Sequence, residues 1–245
     1  MNQHQFPHRD FMDATGITNF LVAEKYYSKK NRVFRVLCDV QENQPGKQVV
    51  VKQCLQSDQD CLREMRNLEI LHIHGAAVPS LYRSAHGLLV MEHIPGPTLL
   101  ELMETAESDD RNGNFQRYQV RKRMVVELMD WLDQAYTILE HAYGTPMILG
   151  DIHFRNFIAG SRLTGVDFES CRPGCIEEDI AELLAYLLHY NPAWTLWKRD
   201  LADCFRKEAM NRFDLKQERL ACCFETKISE IFSRRHKQNY MNDLG

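Results

Sequence analysis

Residues 148–157 read ILGDIHFRNF, and residues 163–169 read LTGVDFE. Asp151 and Asn156 lie five apart in a loop, and Asp167 ends a short apolar run further on. Two carboxylates and an amide oxygen on short connectors between small strands are able to converge on one point. Such hard oxygen donors suit Mg²⁺, which binds few protein ligands and leaves room for phosphate oxygens. In phosphoryl transfer a protein mostly positions groups and neutralises charge. One carboxylate can orient an attacking hydroxyl while others hold the metal. Asp and Asn also populate ordinary turns by self-capping, so partners elsewhere in the chain must decide between the readings.

Upstream of this segment the chain reads as strands. FLVAEKYY (20–27), RVFRVLCDV (32–40), QVVVKQC (48–54), SLYRSA (80–85) and GLLVMEHI (87–94) are short β-branched or aromatic runs, with a turn signal at Asn43-Gln44-Pro45-Gly46. DQDCLREMRNLEILHIHG (58–75) has helical spacing. After the Pro-Gly-Pro turn at 95–97 the pattern becomes helical: 98–106, 115–141, an apolar helix at 177–190, and two or three helices from about 193 to 240. Residues 107–114 read as a polar loop, and 147–169 as short extended pieces and turns. Strands followed by helices predict an α+β fold with two lobes, a β-rich N-lobe at 1–93 and a helical C-lobe at 94–245.

The Asp-x-x-x-x-Asn spacing, followed by a strand ending in Asp-Phe, resembles the catalytic and metal-binding loops of the protein-kinase-like superfamily. The form Gly150-Asp151-Ile152-His153-Phe154-Arg155-Asn156, with Asp167-Phe168-Glu169 after it, is most similar to its aminoglycoside phosphotransferase and choline kinase branch. The resemblance implies the two-lobed protein-kinase-like fold, ATP and Mg²⁺. It implies Asp151 as catalytic base and Asn156 and Asp167 as metal ligands. Lys52, late in VVVKQC, resembles the strand lysine that contacts the α- and β-phosphates. Glu64 in the next helix resembles the glutamate that pairs with that lysine, with Glu69 as the alternative. GLLVMEHIPGPTL looks like the last N-lobe strand and the hinge, so the Glu92 carbonyl and Ile94 amide would bind adenine and Met91 would line its pocket. Asp179 resembles the buried helix aspartate that braces the catalytic loop.

Three features depart from that pattern. No glycine-rich loop stands between the first two strands. Its place is held by Tyr27-Ser28-Lys29-Lys30-Asn31, where a lysine could supply charge or simply form a solvated hairpin tip. Leu149 stands where many family members carry His. Only the nine residues 170–178 separate Asp-Phe-Glu from Asp179, which leaves no room for a peptide-docking activation segment. The expected activity is therefore ATP-dependent transfer to a small-molecule hydroxyl. The alternatives are an atypical Ser/Thr protein kinase resembling the lipopolysaccharide-kinase group, or a pseudokinase binding module.

Composition narrows the partners. The 245 residues carry 30 basic and 34 acidic side chains, a net charge of −4. A non-specific polyanion binder needs a basic excess, so neither nucleic acid nor a membrane surface is expected. No apolar run approaches the roughly 18–20 residues that span a bilayer. The N-terminal stretch is polar and lacks the apolar core of a secretory signal, and a cytoplasmic protein is expected. Eight cysteines without Cys-x-x-Cys spacing read as reduced thiols. The acidic run Glu104, Glu107, Asp109 and Asp110 reads as a solvated loop or a face for a cationic substrate. Tyr190, Trp194 and Trp197 read as packing or a cation-binding wall. Residues 232–237 read as a solvated helix end.

Overall fold

In β2 (Asn31–Cys38) the side chains of Phe34, Val36 and Cys38 are buried in alternation, the period-two signature of a strand with one face on a core. This computed structural model describes residues 6–39, 46–85, 87–111 and 117–242. Among them it is mixed α+β, with one five-stranded antiparallel sheet and seven α-helices. The chain divides into two compact units, Met1–Gly96 with Thr164–Cys171, and Pro97–Leu163 with Arg172–Gly245.

The first unit holds α1 (His8–Thr15), β1 (Phe20–Tyr26), β2, β3 (Lys47–Cys54), α2 (Asp58–Ile73), β4 (Leu81–Ala85) and β5 (Leu88–Glu92), in sheet order β1-β2-β3-β5-β4. Phe34 and Val36 from β2, Val49 and Val51 from β3, and Val90 from β5 form its core with Phe6 and Phe11. Helix α1 is absent from the sequence reading, because one apolar residue, Phe11, carries its docking. That ring is fully buried and packs edge-on against Phe20 at 4.8 Å. Ser57 caps α2, its Oγ accepting from the amides of Gln59 and Asp60, while Asp58 and Asp60 suit the positive end of the helix. The stripe α2 buries is Cys61, Glu64, Asn67, Leu68 and Leu71. A glutamate and an asparagine inside that stripe must find partners.

Glu64 pairs with Lys52 of β3, and Asn67 with the segment that returns from far along the chain. Gly165 N donates to Ala77 O at 3.0 Å, Asn67 Nδ2 to Phe168 O at 3.1 Å, and Arg63 Nη1 to Glu169 O at 2.7 Å. The observed division therefore falls at Gly96/Pro97 and assigns 164–171 to the first unit. A single linear boundary at 93/94 does not capture that return.

The second unit holds α3 (Leu99–Arg111), α4 (Arg117–Tyr143), β6 (Met147–Ile148), a single 3₁₀ turn (Phe154–Asn156) and β7 (Phe157–Ala159). Strand β8 (Leu163–Gly165) leads into the returning segment. Then come β9 (Arg172–Pro173), α5 (Ile176–His189), α6 (Leu196–Arg212) and α7 (Gln217–Asn242). Helix α5 is the central one, with Ile180, Ala181, Leu183, Ala185 and Leu187 all buried. Strand β6 pairs antiparallel with β9, Ile148 opposite Arg172.

One span differs from the sequence reading: residues 107–111 continue α3, while the tail forms two long helices, as expected. The parts of the expected turn at 43–45 and loop at 112–114 lie outside the described residues. Among the described residues no helix is long and apolar enough to cross a membrane.

Candidate functional site

Lys52 is the centre of the polar cluster in the first unit. Strand β3 carries it on the face toward α2, and the residue is almost wholly buried, 4% exposed. It lies 2.6 Å from Glu64 Oε2, 2.8 Å from Asp167 Oδ1 and 3.0 Å from Glu169 Oε2. One ammonium thus serves three carboxylates. Burial alone would push the lysine down, but Glu64, Asp167 and Glu169 outweigh it and hold Lys52 well above its ordinary value. Glu64 goes the other way from a usual ion-paired acid: full burial pushes it up to about 7, because it shares Lys52 with Asp167 and Glu169. Glu69, the other helix carboxylate considered, is exposed.

Asp167 occupies a left-handed backbone conformation, φ 69°. Asp tolerates that region better than most residues, at some cost in strain. The turn lets Phe168 bury beneath α2 while the Asp167 side chain stays 39% exposed.

Glu169 is the residue that sequence reasoning missed. Besides Lys52 it accepts from Asn31 Nδ2 at 2.6 Å and lies 3.4 Å from Lys30 Nζ. Burial pushes its carboxyl up, but Lys52, Asn31 and Lys30 prevail and hold it below its ordinary value. The glycine-free tip between β1 and β2 is therefore fastened at Asn31, whose Oδ1 also accepts from Leu55 N at 3.4 Å. Lys30 is engaged with Glu169, whereas Tyr27 is 83% exposed. The available signals were the Asn that closes the loop and the Glu that ends Asp-Phe-Glu. No sequence period connects positions 138 residues apart.

Met91 and Glu92 close β5, and Ile94 follows in the segment leading to Gly96. Met91 is buried, and Ser80 N and Oγ donate to the Glu92 carboxylate at 3.1 and 3.0 Å.

In the second unit the loop after β6 carries Asp151. Gly150 before it has φ 74°, a conformation that glycine adopts without steric cost. Asp179 braces this loop from inside α5. Its Oδ2 accepts from Leu149 N at 2.7 Å and Tyr136 Oη at 2.9 Å, and its Oδ1 from Gly150 N at 3.0 Å. Burial still pushes Asp179 above its ordinary value against those three donors. Asn156 Nδ2 donates to Asp151 O at 3.0 Å, which orients the amide and leaves Oδ1 as its oxygen donor. His153 Nε2 lies 3.8 Å from Asp151 Oδ1, and its ring stands edge-on to Tyr186 at 5.5 Å. Beside this loop Glu182 is buried and pushed up to about 7, chiefly by desolvation, although Lys227 Nζ is 3.1 Å away.

The structure thus brings together Lys52, Glu64 and Asp167 in one unit, and Asp151 and Asn156 in the other. Two other sequence readings change. Glu107 is buried in an ion pair with Lys198, itself fully buried, and accepts from Thr195 Oγ1. It is neither solvated nor facing a substrate. Trp197 is buried with the Arg121 guanidinium 5.2 Å over its ring, so it packs. The side chains of Asp110 and of residues 235–237 lie outside the described residues.

In comparisons with known proteins, no family model and no curated protein matches the chain.

Proposed function

We propose that the chain is an ATP- and Mg²⁺-dependent phosphotransferase of the protein-kinase-like fold that acts on a small-molecule hydroxyl. The observation that carries this reading is the buried Lys52, held by Glu64 of the adjoining helix and by Asp167. A lysine kept charged in a dry setting is suited to phosphate oxygens, and a neighbouring carboxylate with an exposed oxygen is suited to the cation that accompanies them. In this reading the two compact units are the two lobes.

The residues divide the work. Lys52 binds the α- and β-phosphates, and Glu64 keeps its ammonium in place. Asn31 and Glu169 fasten the tip that covers the phosphates, a task glycines perform elsewhere. The Glu92 carbonyl and Ile94 amide read adenine, with Met91 behind it. The Asp167 carboxylate and, in the other unit, the Asn156 Oδ1 are hard oxygen donors of the kind that would hold Mg²⁺, which would supply charge neutralisation on phosphate oxygens. Asp151 accepts the proton of the acceptor hydroxyl as the new O–P bond forms and the bond to the ADP oxygen breaks. Asp179 and Tyr136 keep the Asp151 loop in shape.

The short connection after Asp167 supports a small acceptor. Residues 172–173 are used by β9 and α5 begins at Ile176, so this stretch contains no extended segment for peptide docking. The first test is a thermal-shift titration with Mg-ATP. Stabilisation that saturates and disappears in Lys52→Met is expected. No shift at millimolar nucleotide would favour the pseudokinase alternative.

A further inference from the structure

On β3, Lys52 and Cys54 are two residues apart and share a face. On α2, Cys61 and Glu64 are three apart and share a face. Lys52 and Glu64 meet at 2.6 Å, so the next step along the same strand–helix seam puts Cys54 opposite Cys61. The two thiols are neighbours across this seam, each the leading influence on the other's proton affinity. Both are free cysteines, Cys61 buried and Cys54 half-buried. Their backbones are held on either side. Cys54 N donates to Gly87 O at 2.8 Å, and Cys61 N donates to Ser57 O in the capped first turn of α2.

We propose that Cys54 and Cys61 are a thiol pair that hydrogen peroxide oxidises to a single intramolecular disulfide, tying the end of β3 to the first turn of α2. Two sulfurs that face each other across one strand–helix seam can approach to the S–S distance of about 2.0 Å. Cys61 lies in the capped first turn of α2, whose positive end favours a thiolate, and this makes it the attacking group. Its sulfur takes one peroxide oxygen as the O–O bond breaks, giving a sulfenic acid and releasing water once the leaving hydroxide takes up a proton. Cys54 sulfur then attacks the sulfenic sulfur, the S–O bond breaks, and a second water leaves. Two thiols lose two protons and two electrons, and one peroxide becomes two waters. A thiol reductant reverses the step. The bond would span the two elements that carry Lys52 and Glu64. Its formation does not depend on the phosphotransferase reading.

The test uses the full chain, reduced and then exposed to hydrogen peroxide, alkylated with iodoacetamide and digested with trypsin. Cleavage after Lys52 and Arg63 releases Gln53–Arg63 with both cysteines in one peptide. The expected result is that this peptide loses two hydrogens and takes up no alkyl group, and that dithiothreitol restores two alkylation sites. In Cys54→Ser, Cys61 is expected to be trapped as a sulfenic acid by dimedone. Two alkyl groups on the peroxide-treated wild-type peptide would overturn the proposal, as would a link from either cysteine to any other. The wild-type peptide map decides the matter even where a variant folds poorly.

Discussion

Lys52→Met removes the one ammonium that faces Glu64, Asp167 and Glu169 while keeping much of the side-chain volume. Glu64 is 1% exposed and loses its ion-pair partner. Removing one member of a buried ion pair costs about 3–5 kcal/mol, because the other charge stays buried without compensation. Glu64→Gln is a smaller loss, about 1 kcal/mol, because Lys52 keeps Asp167 and Glu169 at 2.8 and 3.0 Å. The double variant Lys52→Met/Glu64→Met should recover at least about 1 kcal/mol of the single lysine loss. The dependence on pH has a defined sign. Glu64 is raised to about 7 in the folded protein, above its ordinary 4.5. The stabilisation linked to its proton is complete below the unfolded value and disappears as pH rises through the folded one. Without Lys52 the folded value moves higher still, so the gap between variant and wild type should widen as pH rises above about 7. Urea unfolding followed by circular dichroism at pH 6 and pH 8.5 measures all four proteins. Equal costs for Lys52→Met and Glu64→Gln, or a gap that narrows with rising pH, would refute the reasoning.

Further predictions concern other residues. Glu182→Gln should raise the melting temperature at pH 8 and change it little at pH 4, because burial holds this carboxyl at about 7 and its ionisation opposes folding between roughly 4.5 and 7. The rise from 4.5 to about 7 corresponds to about 3 kcal/mol as an upper bound. Asp179→Ala should cost about 2–4 kcal/mol in urea unfolding, since the Leu149 and Gly150 amides and the Tyr136 hydroxyl lose a buried acceptor together. Its turnover should fall while Mg-ATP binding persists. Asn31→Ala should lose about 1–2 kcal/mol by the same assay, with the charge-assisted bond to Glu169 gone, and should weaken the Mg-ATP thermal shift.

Much of the fold was legible because local patterns dictate it. The five strands carry β-branched runs between turn residues, and α2 has both a Ser57 cap and an apolar stripe. Helix α1 was not legible, since a single buried Phe11 gives no period to detect. Residues 107–111 were hidden for a different reason. Acidic residues look like a loop until the pairing of Glu107 with Lys198, 91 positions away, is known. The site was legible in the same uneven way. Lys52, Glu64, Asp151, Asn156 and Asp167 are recognisable by type and order. The Asn31–Glu169 contact and the Tyr136 hydroxyl on Asp179 exist only once the chain has folded. The same holds for the seam between Cys54 and Cys61, whose spacing of seven matches no motif.

The central claim is phosphoryl transfer with Asp151 as base, and labelled ATP tests it most directly. Wild type and Asp151→Asn are incubated with γ-labelled ATP, Mg²⁺ and a panel of hydroxylated small molecules that includes aminoglycosides and choline-like amino alcohols. Label should pass from ATP to a small molecule with the wild type, and Asp151→Asn should lower that rate about a hundredfold or more while its unfolding curve stays unchanged. An undiminished rate in Asp151→Asn would contradict the account.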